Sequence, residues 1–171
     1  MKKSSIISIA LTSLLSAVLL AISPNLYSQN TDKQEKENAR IDSLKKAIES
    51  GRFVFMAQSA TPMSGRTRQL TYDYKLDIRK DTIIADLPYY GRSYSPTYGS
   101  SDGGINFTTT NFDYSSKEGA KGGWDIIITP KEIRNVSRMS LNVSNAGYSS
   151  LTVTSNTRQQ ISFNGYIVGF R

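Results

Sequence analysis

The chain has 171 residues, a formal net charge of +7, ten tyrosines, and neither cysteine nor histidine. Lacking thiol and imidazole, it has no disulfide, thiol nucleophile, serine-histidine triad or zinc site, so its core must hold by packing alone. Lys2 and Lys3 supply two of the positive charges, and the excess of +5 beyond them is scattered: Arg66, Arg68, Lys75, Arg79, Arg134, Arg138 and Arg158 fall in several segments, which speaks against a nucleic-acid partner.

Residues 1–28 combine a cationic start, an apolar run from Ile6 to Ile22, Ser23-Pro24 and a small residue, Ser28, before Gln29. This is the pattern of a secretory signal peptide. A retained membrane anchor is the alternative, but the run is diluted by Ser8, Thr12, Ser13 and Ser16, ends at a proline, and falls short of the ~20 residues a span needs. The expectation is cleavage before Gln29, no membrane span in the mature chain, and a periplasmic or secreted protein. About 143 residues then remain, enough for one domain with a real core.

Residues 29–50 are predicted to hold an N-terminal helix, read over 31–50. Thr31 and Gln34 stand at capping-box spacing, and Ile41, Leu44, Ala47 and Ile48 form an apolar stripe. Gly51 is placed to end it. Its first two turns are polar all round.

From Arg52 onward the periodicity is that of strands, and residues 51–171 read as one β domain. Arg52 to Ala60 is the first. In Leu70 to Arg79 the residues Leu70, Tyr72, Tyr74, Leu76 and Ile78 alternate with polar neighbours, predicting one half-buried strand. Lys80-Asp81 then turns into Thr82 to Leu87. Further strands are read at Ile105 to Thr108, Phe112 to Ser116, Trp124 to Thr129, Met139 to Val143, Leu151 to Thr154 and Gln160 to Val168. Short strands with tight turns and one apolar face each predict an all-β antiparallel meander closing into a lipocalin-like barrel of eight or nine strands.

Between Leu87 and Ile105 runs a stretch without regular structure that holds Tyr89, Tyr90, Tyr94 and Tyr98 beside Arg92. Tyrosine offers a stiff apolar plate with one polar tip, so these five residues are the candidate ligand-binding set. The alternative is that the rings fold back and plug the mouth of the barrel.

Leu87 to Tyr94 (LPYYGRSY), Gly103 to Phe107, Gly122-Gly123-Trp124 and Arg158 to Ile167 (RQQISFNGYI) resemble an exported Bacteroidota family described as a domain of unknown function. The resemblance runs over roughly residues 35 to 168 and implies a lipocalin-like barrel preceded by a helix. It carries no catalytic residues. Tyr90 departs from it, since phenylalanine is expected there, which speaks against a role for that hydroxyl.

The nine acidic residues after Gly51 are scattered singly, so no catalytic pair is evident. An enzyme would have to rest on Asp102 with Tyr94 or Arg92, and a non-enzyme is expected, with no cofactor and no metal. Two functions fit: a binding module whose lumen or mouth holds a small apolar or aromatic molecule, or an envelope scaffold whose tyrosine loop contacts a protein.

Overall fold

A computed structural model describes residues 25–94, 103–119 and 122–168. The chain divides into two compact units, up to Arg40 and from Ile41 onward, with the boundary inside the single described helix, α1 (Asn25–Ser50). That helix begins six residues before the capping box read at Thr31 and Gln34. Thr31 is therefore interior to it rather than its N-cap. In the first unit Lys33 to Arg40 are exposed, as a stretch polar on every face must be.

In the second unit the predicted stripe is real. Leu44, Ala47 and Ile48 are buried with Ile41 packed beside them, and each fully buried aliphatic chain contributes about 1.5–3 kcal/mol. Gly51 closes the helix. Its φ is +62°, its N–H donates to the Ile48 carbonyl at 3.1 Å, and the Arg52 N–H donates to the Ala47 carbonyl at 2.9 Å. These two bonds form a Schellman cap, which needs a left-handed residue.

Ten strands follow among the described residues: β1 (Phe53–Pro62), β2 (Arg68–Gln69), β3 (Lys75–Arg79), β4 (Thr82–Leu87), β5 (Ile105–Thr109), β6 (Phe112–Glu118), β7 (Trp124–Pro130), β8 (Arg138–Val143), β9 (Tyr148–Thr154) and β10 (Ile161–Val168). Nine of them lie in the order β5-β4-β3-β1-β10-β9-β8-β7-β6, all antiparallel, as a nearly closed barrel, with the two-residue β2 set against β1. The expected all-β barrel with an N-terminal helix is therefore what the chain forms.

The strand read over Leu70 to Arg79 is shorter than the alternation implied. Only Lys75–Arg79 pairs as a strand, while Tyr72 is 65% exposed rather than facing the core. The cause lies in β1, whose register shifts between Ala57 and Ser59. Beside that irregularity the Gln58 carbonyl accepts from the Leu70 N–H and the Ala57 N–H donates to the Tyr74 carbonyl, so the partner segment loops away between those two bonds.

The topology has two joints of different kinds. Among the described strands, pairing of β1 with β10 is the sole sheet contact between the half formed by β1–β5 and the half formed by β6–β10. It passes through Gly165 opposite Ala57, where a Cβ would collide with the Met56 carbonyl oxygen and stand 3.0 Å from the Phe55 ring. At the other junction β5 and β6 occupy the two edges of the sheet, and only Thr110 and Asn111 separate them. There the chain itself spans the gap. The Asn111 carbonyl accepts from the Lys131 N–H at 3.0 Å, and the Asn111 N–H donates to the Thr109 hydroxyl at 3.1 Å.

Alternate residues of the strands point inward and fill the barrel. Phe55, Leu76, Ile83, Leu87, Ile128, Met139, Leu151 and Phe163 each have 0% exposure. A side chain facing a void large enough for water would retain accessible surface, so at these positions side chains pack against one another at ordinary interior density. Against β6, the Tyr114 hydroxyl donates to the Ile48 carbonyl at 2.6 Å and Lys45 pairs with Glu118 at 2.6 Å. The last turns of α1 are fixed there.

Candidate functional site

The tyrosine segment leaves β4 at Leu87 and crosses one end of the barrel. Pro88 is buried, which its missing N–H makes inexpensive. Tyr89 is half-buried. Its hydroxyl lies 2.9 Å from the carbonyls of both Arg92 and Gln159 and donates its single proton between them. The Arg158 guanidinium sits 5.1 Å from the Tyr89 ring centre and donates to the carbonyls of Gly103 (3.3 Å) and Gly104 (3.0 Å). Burial pushes the Tyr89 phenol above its ordinary range, with Arg158 and the Gln159 bond opposing, so it stays a neutral donor at physiological pH.

This clasp is extended by backbone bonds. The Gln159 N–H donates to the Arg92 carbonyl at 2.9 Å, the Tyr94 N–H donates to the Thr157 carbonyl at 2.8 Å, and Ser93 forms an isolated bridge with Arg158. On the neighbouring side Ser64 donates to the Gln159 side-chain oxygen at 3.1 Å. The segments around residues 64, 89–94, 103–104 and 157–159 are thus one connected rim.

The candidate residues separate into distinct roles. Tyr89 is a fastener: both its hydroxyl and its ring face are engaged within the chain. Tyr90 is 36% exposed, and the Arg68 guanidinium lies 4.7 Å from its ring centre. Arg92 is exposed, and Tyr94 is 65% exposed. Tyr98 and the acid considered for catalysis, Asp102, lie outside the described residues. Sequence reasoning missed Arg68, Arg158 and Gln159. The RQQ triplet stood inside the family-like segment, but nothing in its spacing indicated which tyrosine its arginine would cover.

Between these groups lies a recess of about 250 Å³ lined by Tyr74, Leu87, Pro88, Tyr89, Tyr90, Gly103, Gly104 and Asn106. Its walls join aromatic faces to nearly as much polar surface, part of it at Asn106, whose amide, turned to donate, reaches Asp86 at 3.1 Å. A Cβ at Gly103 would meet nothing within 4 Å, so this wall has room for a side chain. Two further open recesses lie elsewhere. One of about 450 Å³ is bounded by Arg52 to Val54 and Asp77 to Asp81, where Arg79 already pairs with Asp77 at 2.8 Å. The other, of about 330 Å³, lies on the outer face of β7–β9. The larger size of the first does not make it the better ligand site, because its own ion pair occupies its polar wall.

The family model described as Domain of unknown function (DUF4251) matches residues 34–167. The crystal structure of a DUF4251 family protein from Bacteroides eggerthii is similar in fold, with a TM-score of 0.55 at 14% sequence identity over 76% of this chain and 87% of that one. No curated protein matches the chain. No described helix is long and apolar enough to cross a membrane.

Proposed function

We propose that this chain, which belongs to the family described as a domain of unknown function (DUF4251), is an exported, non-catalytic binding module that grips a small apolar or aromatic group at the mouth of its barrel. The carrying observation is the 250 Å³ recess walled by Tyr74, Tyr89 and Tyr90, set on an end where Tyr89 and Arg158 hold the segments in place. A preformed concavity that sets aromatic faces beside fixed polar groups suits a ligand with a ring and a polar substituent. Among the described residues the inward side chains pack against one another, which favours the mouth over the lumen.

The test is a titration with 2-naphthol followed through backbone amide shifts. Saturable changes at Tyr90, Gly104 and Asn106, weakened about tenfold by Gly103→Phe, are expected. Absence of saturation, or changes confined to Arg79 or Ile127, defeats the reading. Export itself is tested by the N-terminal mass of protein recovered outside the cytoplasm, which should begin at Gln29.

A second reading, an envelope interaction scaffold, is favoured by the Tyr94 ring, 65% exposed beside Arg92. Exposed tyrosine next to arginine is the composition of protein contact surfaces. A photo-crosslinking side chain placed at position 94 in cells should give one discrete adduct if this holds, and a diffuse smear if it does not.

A further inference from the structure

On the outer face of the barrel, opposite in character to the tyrosine rim, strand register aligns side chains that the strand alternation turns to solvent. Ile127, Ser140, Thr152 and Ser162 form one row across β7–β10, and Asp125, Asn142, Ser150 and Asn164 form the next. The residues between them along each strand, such as Ile126, Leu141, Leu151 and Phe163, are buried. Within the rows Asn142 donates to Asp125 at 2.6 Å, and the hydroxyls of Thr152 and Ser162 lie 3.1 Å apart.

Two features set this face apart from an ordinary wetted sheet. The first is charge. The outward positions of β7–β10 carry Asp125 and Arg138 as their only charged side chains, whereas the three outward positions of β3 are Lys75, Asp77 and Arg79. The second is shape and apolar content. The rows border the open recess of about 330 Å³, whose lining joins Asp125, Ser140, Asn142, Ser150 and Thr152 to the apolar Ile126, Ile127 and Leu141. Ile127 is 37% exposed there, and at the border the cross-strand neighbours Tyr148 and Tyr166 are 69% and 37% exposed.

We infer that this face binds a neutral oligosaccharide. Hydroxyl and amide side chains both donate and accept, as the vicinal hydroxyls of a sugar require, and successive outward rows stand about 7 Å apart along the strands, a width one sugar ring can bridge. Tyrosine and isoleucine supply the flat apolar contacts that the C–H faces of a pyranose seek. The scarcity of charge decides the class. An acidic glycan or a phosphorylated partner would find no cationic row here, because Arg138 lies at the far end of β8 from Asn142 and Tyr148.

The experiment titrates the full chain, isotope-labelled, with three neutral probes, cellohexaose, mannohexaose and N-acetylchitohexaose, and with oligogalacturonate as the acidic control. The expected result is saturable amide shifts at Ile127, Asn142, Ser150 and Thr152 with at least one neutral probe. Asn142→Ala and Tyr148→Ala should each weaken that binding about tenfold. Both side chains are exposed, so the variants should keep the wild-type amide spectrum elsewhere, and Tyr148→Phe should retain most of the affinity by keeping the ring. No saturable shift with any neutral probe up to about 10 mM overturns the inference. So does binding that prefers the acidic control, or that both alanine variants leave intact.

Discussion

Replacing Gly165, the one glycine inside a described strand, with alanine should damage the fold severely. The new Cβ would collide with the Met56 carbonyl oxygen and stand 2.9 Å from the carbonyl carbon and 3.0 Å from Phe55 Cε2, where ordinary contact begins at 3.4 Å. The obstacle is backbone, so no side-chain rotation relieves it and β10 must move away from β1. Two ladder hydrogen bonds around the Ala57–Gly165 pair then lengthen, at about 0.5–1.5 kcal/mol each. Overpacking against Phe55 adds about 1–3 kcal/mol. The sum is about 2–6 kcal/mol, a large share of the 5–15 kcal/mol a domain of this kind possesses. In urea, followed by Trp124 fluorescence, the midpoint should fall by about 1–3 M with an unchanged slope. Gly103→Ala, whose Cβ would meet nothing within 4 Å, should stay within about 0.5 kcal/mol of the wild type. If the Gly165 variant unfolds at the same urea concentration as that control, the account of the β1–β10 joint is wrong.

Tyr89→Phe keeps the ring beneath Arg158 but removes the donor shared by the Arg92 and Gln159 carbonyls, and should lower stability by about 1–2 kcal/mol while speeding amide exchange at Gln159 and Tyr94. Gly51→Ala forces a Cβ into φ +62° and should cost about 1 kcal/mol, seen as a lower melting temperature. Burial raises the Tyr114 phenol above the ordinary tyrosine value, about 10. The folded state therefore favours the protonated form, and the contribution is complete below pH ~10 and lost as pH climbs above it toward the folded-state value. Alkaline titration at 295 nm should show this tyrosine ionising only with unfolding, and Tyr114→Phe should flatten the stability loss in that pH window.

Strand positions were legible wherever alternation and burial agreed. Met139, Leu141 and Val143, and Ile161 and Phe163, point inward as their spacing requires, and Lys80-Asp81 forms the turn of a hairpin in which Arg79 faces Thr82. Alternation misled at Leu70 to Tyr74, because the register shift that displaces this segment belongs to β1, a strand distant in sequence. The helix start was misplaced because Asn25 to Asn30 show no apolar period, and helix continues there without one. At the rim, the loop and its tyrosines could be read, but the division between Tyr89 as fastener and Tyr94 as exposed plate could not. That division depends on Arg158 and Gln159, which meet Tyr89 only because the end of β9 and the start of β10 lie across the barrel mouth from it.

The junction at Thr110-Asn111 has a mechanical consequence. Most rings of strands are completed by a ladder of weak bonds that can unzip and re-form, but here the two edge strands are neighbours in the polypeptide, so a covalent link holds their ends together where no ladder does. Cutting the backbone there, as in a circular permutant that begins at Asn111, would remove the tether and let the two unpaired strand margins move apart. Such a molecule should pair margin to margin and assemble at lower concentrations than the uncut chain does.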